Sequence, residues 1–124
     1  MSFELAKLIL KHDGINLRSY GLDKAATTIG RNTDSDVHMD DYAISGLHAV
    51  IVSEKNPYLD DAQDFYVQDM ESTNGTFVND ARVERHLLKH GDIVKIGSHE
   101  FTFDSGQNPT LERTAIYLPD EDDK

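Results

Sequence analysis

Apolar residues in this chain fall at alternate positions in short runs, and nearly every run is closed by Gly, Asn, Asp or Pro. Period-2 alternation sends successive side chains to opposite faces of an extended segment, so each run reads as a half-buried strand. The candidate strands are Glu4–Lys11, Ile15–Tyr20, Ala26–Ile29, Val37–Met39, Leu47–Glu54, Asp64–Asp69, Thr76–Val78, Ala81–Val83, Ile93–Ile96 and His99–Phe103. Arg85–His90, with two leucines among charged residues, reads equally as a loop or as one more short strand. Between the strands lie His12-Asp13-Gly14, Asn32–Asp36, Lys55-Asn56-Pro57, Asn74-Gly75, His90-Gly91-Asp92 and Gly97-Ser98, all turn-forming sequences. Sustained 3.6-residue patterning is missing, so the pattern predicts an all-β antiparallel sandwich or barrel of about eleven short strands.

Length bounds the domain count. At 124 residues and 38% hydrophobic, the chain has enough apolar content for one core and too little length for two ordinary domains. The folded part is expected over residues 1–104. Residues 105–124 form a tail that opens with Ser105-Gly106-Gln107-Asn108-Pro109 and closes in the acidic run Asp120–Asp123. No stretch reaches the roughly 20 apolar residues that a spanning helix requires, and Leu8-Ile9-Leu10 is too short and too closely flanked by charge for a signal peptide. With no cysteine there is no disulfide framework and no thiolate metal site, which fits a cytoplasmic protein. A formal net charge of −11 repels nucleic-acid backbones and anionic membranes. It does not prevent a local cluster of donors from holding a single phosphate.

The segment Ser72-Thr73-Asn74-Gly75-Thr76-Phe77-Val78-Asn79 sets a tight turn directly before an apolar strand. Gly75 supplies positive φ, Ser72 braces the loop, Asn79 orders the next turn, and Thr73 and Asn74 display a hydroxyl and an amide. Arg31 follows Gly30 at a strand end, where the glycine admits a close backbone approach and the guanidinium offers a planar fork of donors suited to phosphate oxygens. Taken alone, Arg31 reads as a surface partner of Asp34 or Asp36. Ser45 stands at a loop-to-strand junction before Leu47-His48-Ala49-Val50-Ile51, where its hydroxyl can equally close the turn. His48, at the start of that apolar strand, reads as a buried imidazole bridging loop backbone groups.

Taken in order, Ile29-Gly30-Arg31, Ile44–Val50, Ser72–Asn79 and Gly91-Asp92-Ile93-Val94-Lys95-Ile96-Gly97 resemble the forkhead-associated (FHA) domain over roughly residues 5–104. The resemblance implies a two-sheet β-sandwich that binds phosphothreonine peptides without a cofactor. It makes Arg31 the main phosphate ligand, Ser45 and Thr73 hydroxyl donors to the phosphate, Asn74 a partner of the peptide backbone, and His48 a support for the loops. The family often carries a basic or polar side chain after the serine. Here that position is Gly46, which leaves only a backbone amide and keeps open a phosphate-independent scaffold on the same sandwich.

Other chemistries fare worse. Ser45 and His48 are three apart on an extended segment, so they project to opposite faces, and no glycine-framed nucleophile elbow surrounds the serine. Of six histidines, only His86 and His90 have an i, i+4 spacing, which makes a metal pair on a helix but not on the strand or loop expected there. Asn74-Gly75-Thr76 lacks the lysine and helix of a P-loop. The expected partner is therefore a threonine-phosphorylated protein, with no enzyme activity, metal, small-molecule cofactor, nucleic acid or membrane. The tail adds a further expectation: Thr110 or Thr114, if phosphorylated, would make it the domain's own ligand at the high effective concentration of a tether.

Overall fold

The computed structural model describes residues 6–56, 58 and 63–106. Eleven strands follow one another along the chain: β1 (Lys7–His12), β2 (Ile15–Gly21), β3 (Ala26–Gly30), β4 (Val37–His38), β5 (Ala49–Lys55), β6 (Gln63–Asp69), β7 (Thr76–Val78), β8 (Ala81–Val83), β9 (Arg85–Leu87), β10 (Ile93–Ile96) and β11 (His99–Asp104). They form a six-stranded sheet in the order β2-β1-β11-β10-β7-β8 and a five-stranded sheet in the order β4-β3-β5-β6-β9. The alternation of the sequence becomes the two faces of each sheet. Leu8, Val78, Val94, Ile96, Phe101 and Phe103 from one sheet and Ile29, Ile51, Phe65 and Val67 from the other turn inward and are buried. Phe65 and Phe103 meet across the interface with ring centroids 5.6 Å apart, within the range for a favourable tilted pair.

Turn chemistry sets the hairpins. Asp13 and Gly14 both adopt positive φ (52° and 78°) between β1 and β2, as do Asn79 and Asp80 (50° and 72°) between β7 and β8. Two successive positive-φ residues give the turn whose twist matches that of the strands it joins. Register shifts between Leu10 and Lys11 where β1 pairs β2, so a bulge bends that edge.

One open reading is closed, and a strand start and a strand direction differ from the pattern read off the sequence. The Arg85–His90 stretch contributes the short edge strand β9, paired with β6 from Tyr66↔Leu87 to Gln68↔Arg85. Strand β5 starts at Ala49 rather than Leu47: His48 still bonds both neighbours of the strand, its N–H to Ile29 O and its carbonyl to the Met70 N–H, and the chain before it belongs to the loop. Strand β4 runs parallel to β3, Ile29 opposite Val37 and Gly30 opposite His38, while every other pairing is antiparallel. Alternation is blind to strand direction. Here the Arg31–Asp36 loop doubles back, pinned by Asp36, whose carboxylate takes the Thr28 N–H (2.9 Å), the Thr28 hydroxyl (3.1 Å) and the Lys24 ammonium. The hydrogen bond from Lys24, followed by that from the Thr28 amide, holds the Asp36 carboxyl below its ordinary range. Thr110 and Thr114 lie outside the described residues.

Candidate phosphopeptide-binding site

Three loops meet at one end of the sandwich: Arg31–Asp36 after β3, Met39–His48 before β5, and Met70–Gly75 between β6 and β7. Backbone bonds join the first two, with Arg31 N–H donating to Ser45 O and Asn32 N–H to Gly46 O, each at 3.0 Å. Gly30 makes this closeness possible. A Cβ at that position would lie 2.1 Å from the Gly46 carbonyl oxygen, so any side chain would force the loops apart. What Gly30 admits is the neighbouring loop of the chain itself.

His48 locks the second loop to the third. Its ring is fully buried, with Nδ1 3.1 Å from the Ser45 amide and Nε2 2.8 Å from the Gly75 carbonyl. An amide can only donate and a carbonyl can only accept, which fixes the neutral tautomer carrying its proton on Nε2. The ring therefore bonds the Ser45 backbone, while the Ser45 hydroxyl accepts the Thr73 N–H at 3.1 Å. This arrangement positions a loop and leaves the serine without a base.

The third loop is built on a residue that sequence reasoning passed over. One Asp69 carboxylate takes the Ser72 hydroxyl (2.5 Å), the Ser72 N–H (3.1 Å) and the Thr76 hydroxyl (2.7 Å). The Ser72 oxygen in turn accepts the Gly75 N–H at 3.0 Å, and Gly75 sits at φ 90°. Burial alone would raise the Asp69 carboxyl, but the bonds from Ser72 and Thr76 outweigh it and hold the group below the ordinary range. The readable signal was the Asp-x-x-Ser spacing before the turn, a local side-chain-to-backbone motif.

A second overlooked aspartate, Asp41, orders the loop that carries Ser45. Its carboxylate accepts the Ala43 N–H at 2.8 Å and faces His99 Nε2 at 3.0 Å, and these two bonds, in that order, depress its titration. Asn74 crosses the gap from the other side, donating from Nδ2 to Ala43 O at 2.8 Å. Asn79 stands apart from the three loops, holding the β7–β8 turn to the segment before β10 through Asp92 (3.0 Å) and Ile93 (3.0 Å).

Several strong donors remain uncommitted among the described residues. Arg31 uses Nε to reach Ile44 O (3.1 Å) and lies over the Tyr42 ring at 5.4 Å, which leaves both terminal nitrogens without a protein partner. Asp34 and Asp36 do not claim it. The Ser45 hydroxyl has an accepted bond and a proton still to give, the Thr73 hydroxyl has no partner, and the Gly46 amide donates to nothing. Arg31, Ser45, Gly46, Thr73 and Asn74 are thus brought to one loop cluster, with Gly30, His48, Ser72 and Gly75 beneath it. His86 and His90 are not brought together, since His86 faces Asp92 (3.8 Å) and His90 faces Asp104 (3.5 Å).

The sequence profile of the FHA domain matches residues 27–97. The glycogen accumulation regulator GarA of Mycobacterium tuberculosis is 40% identical over 85 residues, covering 68% of this chain and 48% of GarA. The chain thus spans about half the length of that relative. Among solved structures, M. tuberculosis EmbR in complex with a low-affinity phosphopeptide superposes with a TM-score of 0.69 at 36% identity, over 82% of this chain and 24% of EmbR. The MEK1 FHA domain bound to a phosphothreonine peptide of HOP1 gives 0.68 at 25% identity, over 82% of this chain and 97% of that domain. The profile match covers more than half of the chain and runs through all three loops, and the chain belongs to the FHA domain family.

Proposed function

We propose that this domain recruits threonine-phosphorylated proteins, acting as a signalling adaptor in the cytoplasm rather than as an enzyme and needing no cofactor. One observation carries the reading: the uncommitted donors of Arg31, Ser45, Gly46 and Thr73 gather on one loop cluster of a chain whose net charge is −11. A phosphate dianion satisfies them all. The two terminal nitrogens of Arg31 form a fork that can grip two phosphate oxygens, and hydroxyl and amide donors complete the set. The Asn74 carbonyl oxygen and second amide hydrogen remain for the peptide backbone beside the phosphothreonine. Relatives of known structure that hold phosphopeptides support the same assignment. Among the described residues no helix is long and apolar enough to cross a membrane.

An NMR titration with paired peptides, phosphorylated and unphosphorylated on threonine, tests the proposal. The amides of Arg31, Ser45, Gly46 and Thr73 are expected to shift with the phosphopeptide alone. Shifts of equal size with both peptides would instead make the domain a phosphate-independent scaffold.

A further inference from the structure

The outer face of the six-stranded sheet carries a pattern that phosphothreonine binding does not use. Strand pairing sets its outward side chains in rows. One row runs Ser19–Ile9–Thr102–Ile93, and the next runs Asn16–Lys11–Glu100–Lys95–Phe77. The buried Leu8, Val94, Phe101 and Phe103 take the alternate strand positions, which turns these rows away from the core. Ile9 and Ile93 are half-buried without joining the hydrophobic core, and the Thr102 hydroxyl between them is enclosed with no hydrogen-bond partner among the described residues. The first row is therefore an apolar strip. Lysines bracket it: Lys7 and Lys11 stand two residues either side of Ile9, and Lys95 two beyond Ile93, each about 7 Å along its strand. Among the described residues these lysines make no hydrogen bond and no ion pair, although Glu100 lies between Lys11 and Lys95. The other sheet's outer face differs, since its Arg85 is held by Glu54 (3.0 Å) and stacks on Tyr66 at 4.2 Å.

We infer that this strip and its lysines hold the chain's own C-terminal segment, Leu111–Asp123, across the outer face of the six-stranded sheet. The segment lies outside the described residues, and its sequence is the complement of the face. Leu111, Ile116, Tyr117 and Leu118 supply apolar side chains, and Asp120-Glu121-Asp122-Asp123 supplies four carboxylates. A chain of net charge −11 repels such a run over much of its surface, while this face sets Lys7, Lys11, Lys95 and Arg82 against Glu100 and Asp104. Reach is sufficient. Strand β11 ends at Asp104, and the nine residues Gln107–Ala115 span at most about 30 Å, whereas six strands about 4.8 Å apart make a face about 24 Å wide. The tether raises the effective concentration of the segment, so modest apolar and ionic contacts suffice. Docking here draws on neither a phosphate nor Arg31, Ser45 or Thr73, and the inference stands apart from the phosphothreonine reading.

The test is paramagnetic relaxation in the full chain. The sequence has no cysteine, so Thr114→Cys gives a single attachment point for a nitroxide label beside Ile116. The amides of Ile9, Thr102 and Ile93 are expected to broaden strongly, and those of Val50 and Tyr66, on the outer face of the other sheet, far less. The broadening should weaken as salt shortens the screening length from about 10 Å at 0.1 M to about 3 Å at 1 M. It should be lost when Ile116→Ser is combined with Leu118→Ser, and again when Asp120→Lys is combined with Asp122→Lys. Both pairs lie beyond β11 in sequence, so the sandwich keeps its own residues. Lys11→Glu with Lys95→Glu should also remove the broadening, and should restore it in the protein that carries the two tail lysines. No broadening on this face, equal broadening on both outer faces, or broadening that survives both tail changes overturns the inference. Broadening of isotope-labelled protein by a spin-labelled second copy in a mixture would give the face to another molecule and overturn it as well. No phosphopeptide enters these measurements, so their failure leaves the phosphothreonine reading standing.

Discussion

The strand bodies and the loop end of this sandwich are held by different chemistry. Between the sheets the buried side chains are almost all apolar, with Leu8, Ile29, Val67, Val94, Ile96 and Phe101 fully enclosed. At the loop end polar groups are buried beside the apolar Met39 and Ile44: His48, Ser72 and Thr76 are three of the four buried polar residues among those described. Apolar burial is non-directional and sums over area, so it stabilises the fold without fixing any one atom tightly. Hydrogen bonds fix donors to within tenths of an ångström, and a buried partner left unpaired is costly. The core therefore sets whether the chain folds, and the polar loop end sets where Arg31, Ser45 and Thr73 stand.

Substitutions that break one region should spare the other. Phe101 is fully buried, packed edge-on to Tyr20 with centroids 6.3 Å apart. Phe101→Ala should lower stability by about 3–5 kcal/mol, and urea unfolding should show the midpoint falling while phosphopeptide affinity of the folded fraction holds. His48→Ala should cost less, about 1–3 kcal/mol, because it strands the Ser45 amide and the Gly75 carbonyl. It differs from the core substitution in also weakening phosphopeptide binding. A melting curve identical to wild type alongside lost binding would make His48 a direct ligand rather than a support.

Asp69 sharpens the same contrast through pH. Its folded-state pKa lies below the ordinary value of 3.8, so its contribution to stability is complete well above that value and is lost as pH falls through the folded pKa. Acid titration followed by unfolding should show a decline below about pH 4 that Asp69→Asn flattens. The effect is expected first in the amides of Ser72, which donates to this carboxylate, and Gly75, which donates to the Ser72 hydroxyl that the carboxylate holds. The smallest expected effect is a gain. Gly46→Arg should tighten phosphopeptide binding by about 0.5–1 kcal/mol, provided Asn32 swings aside, since a Cβ at Gly46 would meet the end of that side chain at 2.7 Å. Calorimetry giving equal or weaker affinity would mean that position 46 points away from the phosphate.

The same division decides what could be read from the sequence. Strand positions were legible because alternation and turn residues are local. Asp13-Gly14 announces its positive-φ turn, and Phe101 and Phe103 announce the inward face of β11. The resemblance of four fragments to one family located the loop cluster. What escaped was non-local. Asp41 matters because His99 comes to it from 58 positions away, and Asn74 is tied to Ala43 O across 31 positions. Neither relation leaves a mark in the spacing of neighbouring residues. The parallel β3–β4 pairing was hidden for a similar reason: direction is decided by the Asp36 clamp on Thr28, a contact across a loop rather than a pattern within a strand.

We propose the uncommitted Arg31 guanidinium as the principal phosphate ligand on an otherwise preformed loop end. Calorimetry of wild type and Arg31→Ala with one phosphothreonine peptide, each protein first checked for an unchanged melting curve, tests it directly. Each charge-assisted hydrogen bond lost is worth about 1.5–3 kcal/mol, so affinity should fall by about tenfold or more in a protein that melts like wild type. Equal affinity in a folded Arg31→Ala protein would contradict the account.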